Sequence, residues 1–450
     1  MVQLPDLPTE ILDKILLNIG PFDDDKLKEI KDAVKSFDDY RASLKSLAGL
    51  CRTCKALRRV AQPILYRYPL AYDDSFVSLV RTLATREDLK ERVQGLVIKF
   101  APDDKEKQKL VISPDDQVLF NNLIAKYPTR ANGESIDIPS TWATGEEKTT
   151  EVEEDPKPGF SDNPKLILAA LLLTQIPNVE RISMDMGSNT DFPFCQTGSM
   201  PRLVELNVHY EGKFCLNLMV LDGVLKAAPA LKTLNTVNVY LQKESKGIPH
   251  DNLTSLELID AALEWGSFKT IIQGFPKLER FSLQPSHSCV LSHNTRLSAY
   301  QILVTLPIRA DTLRHIHLLI HPMEWEGGLY DAPIPSLKGM TLLETLYVDY
   351  ANLWPDKAKT GLVEFLPPSI RIYEQDYCHP ELIPVMRALA RNAPEKFPNL
   401  KKVTFGKFYE DDEDGSPTTT PRLISWTAAQ LRDLHWHVYH VEISTYDVMP

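Results

Sequence analysis

Leu253-Thr254-Ser255-Leu256-Glu257-Leu258 is the stretch that decides the fold of this 450-residue chain. Leu256 and Leu258 alternate with polar residues and therefore fall on one face of a short strand, while Leu253 anchors the turn that enters it. The same phrase, L-x-x-L-x-L with apolar substitutes, returns many times along the sequence. Further copies begin at Val179, Leu203, Leu231, Leu278, Leu313, Leu343 and Leu400, and Ile370-x-Ile372 is a weaker member. We therefore expect a series of short strands of one kind.

Helical stretches separate these phrases. They are expected at residues 164–176, 216–228, 268–275, 300–306 and 380–393. Strands and helices that alternate at a step of about 22 to 35 residues cannot share one compact core, so successive units stack on their neighbours. The chain resembles a degenerate leucine-rich-repeat solenoid over most of residues 164–405, with steps at and above the usual range of about 20–29 residues. This resemblance implies an α/β fold with a parallel inner sheet and helices outside it.

The polar residues of each phrase are the candidate binding surface. They lie between the apolar positions and therefore point away from the core, along the inner face of the predicted sheet. Their mixture of charges, imidazoles and a phenol suits a protein or peptide partner better than a small molecule. The candidate target-binding residues are Arg181, Asp185, Glu205, His209, Glu257, Arg280, His315, His317, Tyr347, Asp349 and Lys402.

The N-terminus has a different pattern, which begins Leu7-Pro8-Thr9-Glu10-Ile11-Leu12-Asp13-Lys14-Ile15-Leu16. Pro8 suits a first helical turn, because its missing N–H would be unpaired there in any case. The apolar residues recur at helical spacing and form one stripe that continues to Ile19. A helix this short is marginal alone. Either the rest of the chain or a partner protein must cover its stripe.

This N-terminal pattern resembles an F-box. The matching segments are Leu4-Pro5, Leu7-Pro8, Glu10-Ile11-Leu12 and Ile15-Leu16, followed by residues 47–58 and by residues 61–67 with the ending Pro-Ile-Leu-Tyr-Arg. The resemblance implies a small helical module that docks on a Skp-type adaptor and, through it, on a cullin. It also implies the adaptor-binding residues, which are Leu4, Pro5, Leu7, Pro8, Ile11, Leu12, Ile15 and Leu16.

Two domains follow from these patterns. Residues 1–70 form the F-box module, with helices at 44–61 and 62–68 after the first one and an inserted helical segment at 21–43. Residues 71–450 form the solenoid, which also has a helix at 76–83, a strand at 94–100 and a C-terminal cap at 426–441. Residues 129–163 are polar and acidic and are expected to form a mobile loop, because they have too few apolar groups to bury.

Composition excludes several classes of function. The net charge of −11 argues against a general nucleic-acid or anionic-membrane binder, because both need a basic field. The longest apolar run, residues 166–173, is too short to cross a bilayer. The acidic, amphipathic N-terminus does not look like a signal peptide, so a cytoplasmic or nuclear location is expected.

No chemistry is predicted. The six cysteines are too scattered for a disulfide framework, and Cys51-x-x-Cys54 lacks the second pair that a zinc site would need, so both are expected to pack in the helical module. The chain has no nucleophile elbow, phosphate loop, zinc-protease helix or dinucleotide fingerprint. We therefore expect no catalytic residue, no cofactor and no metal.

Three functions remain as hypotheses. The first is a substrate receptor of a Skp–cullin–F-box ubiquitin ligase, in which the module holds the adaptor and the solenoid holds a target protein. The second is an adaptor-bound scaffold outside ubiquitination, which predicts a Skp partner but no cullin. The third is an enzyme on a repeat scaffold, which would need a cluster of acids or a nucleophile that the sequence does not show.

Overall fold

A computed structural model defines the fold over most of the chain. It describes residues 7–19, 37–72, 75–99, 112–127, 164–186, 192, 194–210, 215–241, 247–285, 297–319, 335–348, 361–378, 383–411, 417–420 and 424–427. The chain divides into two compact units, Met1–Thr236 (unit one) and Val237–Pro450 (unit two). It is an α/β structure whose strands pair mainly in parallel. No helix among these residues combines the length and the apolar character needed to cross a membrane.

Three helices begin unit one: α1 Thr9–Ile19, α2 Phe37–Thr53 and α3 Lys55–Leu65. The carbonyl of Pro8 accepts hydrogen bonds from the backbone N–H groups of Ile11 and Leu12, both at 3.0 Å, so the proline closes the first turn of α1. The helices share a core cluster made of Leu12, Leu16, Leu47, Leu57, Val60 and Ala61. This cluster buries Leu12 and Leu16 of the apolar stripe, which gives a helix as short as α1 the packing that it requires.

The boundaries of the second and third helices correct the sequence prediction. α2 begins at Phe37, so residues 37–43 belong to this helix and not to a separate inserted one. Asp38 and Asp39 fall in its first turn, where negative charge favours a helix start. Cys54 interrupts the predicted helix 44–61 with an extended backbone, and α3 starts after it. Residues 21–36 of the predicted insertion lie outside the described residues.

The rest of unit one alternates strands and helices. The strands are β1 Leu70–Tyr72, β2 Gly95–Lys99, β3 Arg181–Met186, β4 Glu205–Tyr210, β5 Leu216–Asn217 and, at the boundary, β6 Thr233–Val237. The helices are α4 Ser75–Thr85, α5 Glu87–Lys90, α6 Pro114–Ile124, α7 Pro164–Thr174 and α8 Asp222–Ala227, which follows a 3-10 turn at Leu218–Leu221. The strands β1 to β4 pair successively in parallel. The strand predicted at 94–100 and the helix predicted at 76–83 are confirmed.

Unit two repeats the alternation. Its strands are β7 Val239–Leu241, β8 Ser255–Leu263, β9 Arg280–Pro285, β10 His315–Leu318, β11 Thr345–Val348, β12 Ile372–Cys378, β13 Lys402–Asp411, β14 Pro417–Thr420 and β15 Ile424–Thr427. The helices are α9 Trp265–Gly274, α10 Ala299–Thr305, α11 Gly361–Phe365 and α12 Ile383–Lys396, with a 3-10 turn at Leu306–Arg309. β8 to β13 pair in parallel, and β14 and β15 pair antiparallel to β13.

A repeating hydrogen-bond pattern accompanies the parallel strands. In unit two the carbonyls of Thr254, Glu279, Arg314, Glu344 and Arg371 each accept the two backbone N–H groups at the start of the next repeat. In unit one Arg67, Gln94, Glu180 and Val204 do the same. Each leading apolar residue of a phrase is buried, and Leu253 and Leu313 are fully buried. Each repeat therefore enters its strand through the same turn.

Two members of this series depart from the predicted phrases. In β12 the register pairs Leu346 with Tyr373, so Tyr373 and Gln375 take the buried strand positions while Ile372 faces outward. The predicted pair Ile370-x-Ile372 is therefore wrong in phase, and Ile370 is the turn anchor. In β2, Val93, Leu96 and Ile98 are buried in the same pattern, which the sequence analysis predicted as a strand but not as a repeat.

Other predictions lie partly or wholly outside the described residues. None of residues 128–163, which include the predicted acidic loop, is described, and only Trp426 and Thr427 of the predicted cap are. The strand β13 extends through Glu410 to Asp411 and so enters the acidic run at 410–415. One cysteine, Cys215, is disulfide-bonded.

Candidate functional site

The first candidate site is the flank of α1 around Ile11, which the helical cluster leaves uncovered. Ile11 and Leu17 are large apolar side chains that remain accessible, with 43% and 41% of their surface exposed. Ile15 is half-buried and lies one helical turn after Ile11, so these two isoleucines form one flank of the helix. Leu17 projects from the opposite flank, six positions after Ile11. The helix therefore offers apolar surface beyond what its own core uses.

The structure divides the predicted adaptor-binding residues into two groups. Leu12 and Leu16 are 4% and 1% exposed and hold the three helices together, so a partner cannot reach them while the cluster stays folded. Pro8 and Ile11 are exposed, Leu7 is half-buried against the cluster, and Ile15 is half-buried. Leu4 and Pro5 lie outside the described residues.

Cys51 and Cys54 are free thiols at the junction of α2 and α3. Both are half-buried and pack against the apolar cluster, as the sequence analysis predicted. Burial raises the pKa of the Cys51 thiol, while the nearby Arg58 acts in the opposite direction. The Cys54 sulfur accepts a hydrogen bond from the Leu57 backbone N–H at 3.5 Å and so caps α3. These contacts place both cysteines in the packing of the helical module.

The second candidate site is the polar face of the strands, beginning with unit one. Arg181, Glu205 and Asn207 are linked there, since Glu205 lies 3.7 Å from the Arg181 Nε and accepts a hydrogen bond from the Asn207 amide at 3.1 Å. The Asn235 amide donates in turn to the Asn207 oxygen at 2.6 Å. Each of these side chains is half-buried. The network fixes their positions before any partner arrives.

Asp185 and His209 occupy adjacent strands further along the same face. They face each other in register, with the His209 Nδ1 3.6 Å from the Asp185 Oδ1. The Asp185 side chain is only 7% exposed, whereas that of His209 is 32% exposed. Of this predicted pair, only His209 therefore offers appreciable surface to a partner.

The polar face of unit two is built from two rows of side chains. The register aligns Ser255, Arg280, His315, Thr345, Ile372 and Lys402 in one row, and Glu257, Ser282, His317, Tyr347, Glu374 and Thr404 in the next. We call these twelve residues the unit-two sheet face. The Ser282 hydroxyl lies 3.2 Å from the His317 Nδ1, and the His317 ring meets the Tyr347 ring edge-on at 4.2 Å. Asp349 lies outside the described residues.

Charged side chains at the entry to these strands are paired across repeats. Glu344 binds two guanidiniums, that of Arg314 at 2.9 Å and that of Arg371 at 3.2 Å. Glu374 binds the Lys402 amine at 2.6 Å. Burial, and next the positive charge of Arg280, hold the pKa of His315 below its usual value. His315 is therefore predominantly neutral at pH 7.

Sequence reasoning missed Arg314, Glu344, Arg371 and Glu374. The first three precede their strands by one residue, which is outside the L-x-x-L-x-L positions that were expected to face a partner. Glu374 was missed because the phrase around Ile370 was read in the wrong phase. The signal that could have found the first three is the alternation of charge at one fixed position of four successive repeats, namely Glu279, Arg314, Glu344 and Arg371.

Comparison with known proteins adds no assignment. No protein-family model matches the chain, and no curated protein matches its sequence significantly. Within the described residues, no group of three or more His, Cys, Asp or Glu side chains is placed to hold a metal ion.

Proposed function

We propose that this chain is the substrate-recognition subunit of a Skp–cullin–F-box ubiquitin ligase. In this proposal the three-helix module α1–α3 is an F-box that docks on a Skp-type adaptor. The stacked strands form a leucine-rich-repeat-like solenoid whose polar face holds the target protein. The chain itself performs no reaction and acts by raising the effective concentration of the target near the ubiquitin-loaded enzyme.

One observation carries the docking half of the proposal. α1 is stabilised by its own cluster through Leu12 and Leu16, and still exposes Ile11, with Ile15 beside it. An exposed isoleucine alone is ordinary. Here the exposed isoleucine is Ile11 of the segment Glu10-Ile11-Leu12, which resembles the F-box together with Ile15-Leu16. It also lies near the exposed Pro8 of Leu7-Pro8. The fold of the module therefore leaves accessible part of the surface that the resemblance assigns to the adaptor.

The repeated turn supports the solenoid half. Each repeat enters its strand after an equivalent carbonyl has accepted two N–H groups, and the strands then pair in parallel within each unit. A chain that reuses one turn and one strand register in this way grows by stacking on its neighbours. The resulting polar rows are long enough to contact several residues of a target.

Binding to a purified Skp-type adaptor tests the docking proposal. Ile11→Glu places a charge on the exposed flank and should weaken adaptor binding at least tenfold, because an apolar contact becomes a buried, unpaired carboxylate. Leu17→Glu is the matched control, since Leu17 is about equally exposed on the same helix but lies outside the segments that resemble the F-box. It should leave adaptor binding and the melting temperature unchanged.

Two outcomes would contradict the proposal. If the unchanged chain does not bind the adaptor, the F-box assignment is wrong. If Ile11→Glu binds as well as the unchanged chain while remaining folded by circular dichroism, the docking surface is wrong. The alternative function, an adaptor-bound scaffold outside ubiquitination, is separated by the cullin: the ligase receptor should co-purify with adaptor and cullin together, and the scaffold with the adaptor alone.

A further inference from the structure

The unit-two sheet face contains one arginine that differs from its charged neighbours. Arg280 is exposed and makes no ion pair with any carboxylate in the part of the chain that the structure describes. By contrast, Arg314 and Arg371 both bind Glu344, and Lys402 binds Glu374. Within the described residues, the exposed guanidinium of Arg280 therefore has room to pair with an external group.

The side chains next to Arg280 are neutral hydrogen-bonding groups. In the register Ser255 lies on one side of Arg280 and His315 on the other, and Thr345 follows His315 in the same row. The adjacent row adds Ser282. Hydroxyl and imidazole groups can donate hydrogen bonds to an anion without repelling it.

The carboxylates of this region form no ion pair with Arg280 within the described residues. Glu344 and Glu374 already hold basic partners. Glu257 faces Ser282 in register and not Arg280, and Glu279 lies in the turn before β9. Among the described residues, Arg280 is therefore a positive charge without an ion-pair partner, and it lies beside side chains that can donate hydrogen bonds, on a chain whose net charge is −11.

We infer that Arg280, with the donors around it, binds a carboxylate or phosphate group carried by a protein segment. The planar guanidinium matches both anions, because its N–H groups can donate two parallel hydrogen bonds. The aromatic pair His317–Tyr347, on the next strands, offers a surface for an apolar side chain beside the anion. This inference rests on the proposed function in one respect, the use of the sheet face as the target-binding surface.

The test is a selection from a phage-displayed library of short random peptides on three versions of the full-length chain. These are the unchanged chain, Arg280→Gln and Lys269→Gln. Lys269 is exposed on helix α9 of the same unit, away from the strand face, so its substitution removes an equal charge elsewhere. Asp and Glu should be enriched in peptides selected on the unchanged chain and on Lys269→Gln, and the enrichment should disappear on Arg280→Gln.

A selected peptide then distinguishes the two anions. It is synthesised with its acidic residue, with phosphoserine in that place and with glutamine in that place, and the dissociation constants are compared. The glutamine peptide should bind about tenfold more weakly than the better anionic one, which is the loss expected for one charge-assisted hydrogen-bonded pair. Tighter binding of the phosphoserine peptide assigns a phosphorylated target, and tighter binding of the carboxylate peptide assigns an acidic one.

Several results would overturn the inference. A selection that yields no acidic peptides, whether it yields other sequences or none, removes its basis. So does acidic enrichment that survives Arg280→Gln in a variant with an unchanged melting temperature, or a glutamine peptide that binds as tightly as both anionic ones. Failure of adaptor binding with intact acidic-peptide binding would reject the ligase role alone, so the two proposals fail separately.

Discussion

At the scale of single residues, the ion pair between Arg81 and Asp116 is expected to stabilise the folded chain. The Arg81 guanidinium binds both carboxylate oxygens of Asp116 at 2.5 Å, and the Asp116 side chain is only 4% exposed. Arg81→Met leaves that buried carboxylate with Ser113 as its remaining hydrogen-bond donor. Because Arg81 itself is half exposed, we expect a loss of about 1–3 kcal/mol in the free energy of unfolding, measured by urea denaturation.

The control substitution is Arg86→Met. Arg86 also binds a carboxylate through two hydrogen bonds, but Asp88 is 63% exposed and remains hydrated when the arginine is removed. Its melting temperature should not change. The Arg81 hydrogen bonds hold the pKa of Asp116 below its usual value, so the pair stabilises the folded state above about pH 4 and loses its effect as the pH falls through the lowered pKa. Equal destabilisation by both substitutions at neutral pH would disprove this account.

At the scale of elements, the strand β2 depends on a glycine at its first position. A Cβ added to Gly95 would lie 2.5 Å from the Tyr68 ring. The ring cannot easily move, because Tyr68 is 8% exposed, its carbonyl accepts the Tyr40 hydroxyl at 2.7 Å, and Arg67 lies over its face. Gly95→Ala should therefore lower the free energy of unfolding by about 1–3 kcal/mol.

A second glycine provides the comparison for this prediction. Gly49 lies inside helix α2, and a Cβ there would meet no heavy atom within 4 Å. Gly49→Ala should stabilise the chain by up to about 1 kcal/mol, because alanine loses less conformational entropy in a helix. Urea denaturation of both variants checks the pair. If Gly95→Ala is as stable as the unchanged chain, the close approach of Tyr68 does not constrain β2.

The same elements show how far sequence reasoning reaches. The phrase Leu253-x-x-Leu256-x-Leu258 predicted its strand and the inward direction of its leucines, because alternation in a strand leaves only two faces. The method failed where polar residues take apolar positions. Gln375 is fully buried and accepts a hydrogen bond from the Tyr373 hydroxyl at 2.6 Å, which no count of apolar residues could reveal. The alternation along each strand predicted which residues lie on the polar face. It did not predict their ion pairs, because these join residues of neighbouring repeats.

At the scale of the whole molecule, the two proposed binding surfaces are expected to act independently. The exposed flank of α1 at Ile11 belongs to unit one, and Arg280 belongs to unit two. Ile11 lies beside the α1–α3 cluster and Arg280 lies on the strand β9, so the two substitutions change different sets of contacts, and substitutions without shared partners have additive effects on free energy. The chain should therefore bind an adaptor and an acidic peptide independently, with each function removable alone.

Measuring both affinities for each of the two single substitutions tests this independence. Ile11→Glu should weaken adaptor binding at least tenfold and leave the affinity for the acidic peptide unchanged, and Arg280→Gln should do the reverse, because each substitution removes contacts at one surface only. Titration calorimetry of the peptide, with and without saturating adaptor, checks the same point in the unchanged chain. A peptide affinity that shifts when adaptor is present would reveal a coupling free energy between the sites, and by reciprocity the peptide would alter adaptor binding by the same factor. Such coupling would mean that the two binding sites are not independent, and that binding of the target changes the affinity of the receptor for the ligase.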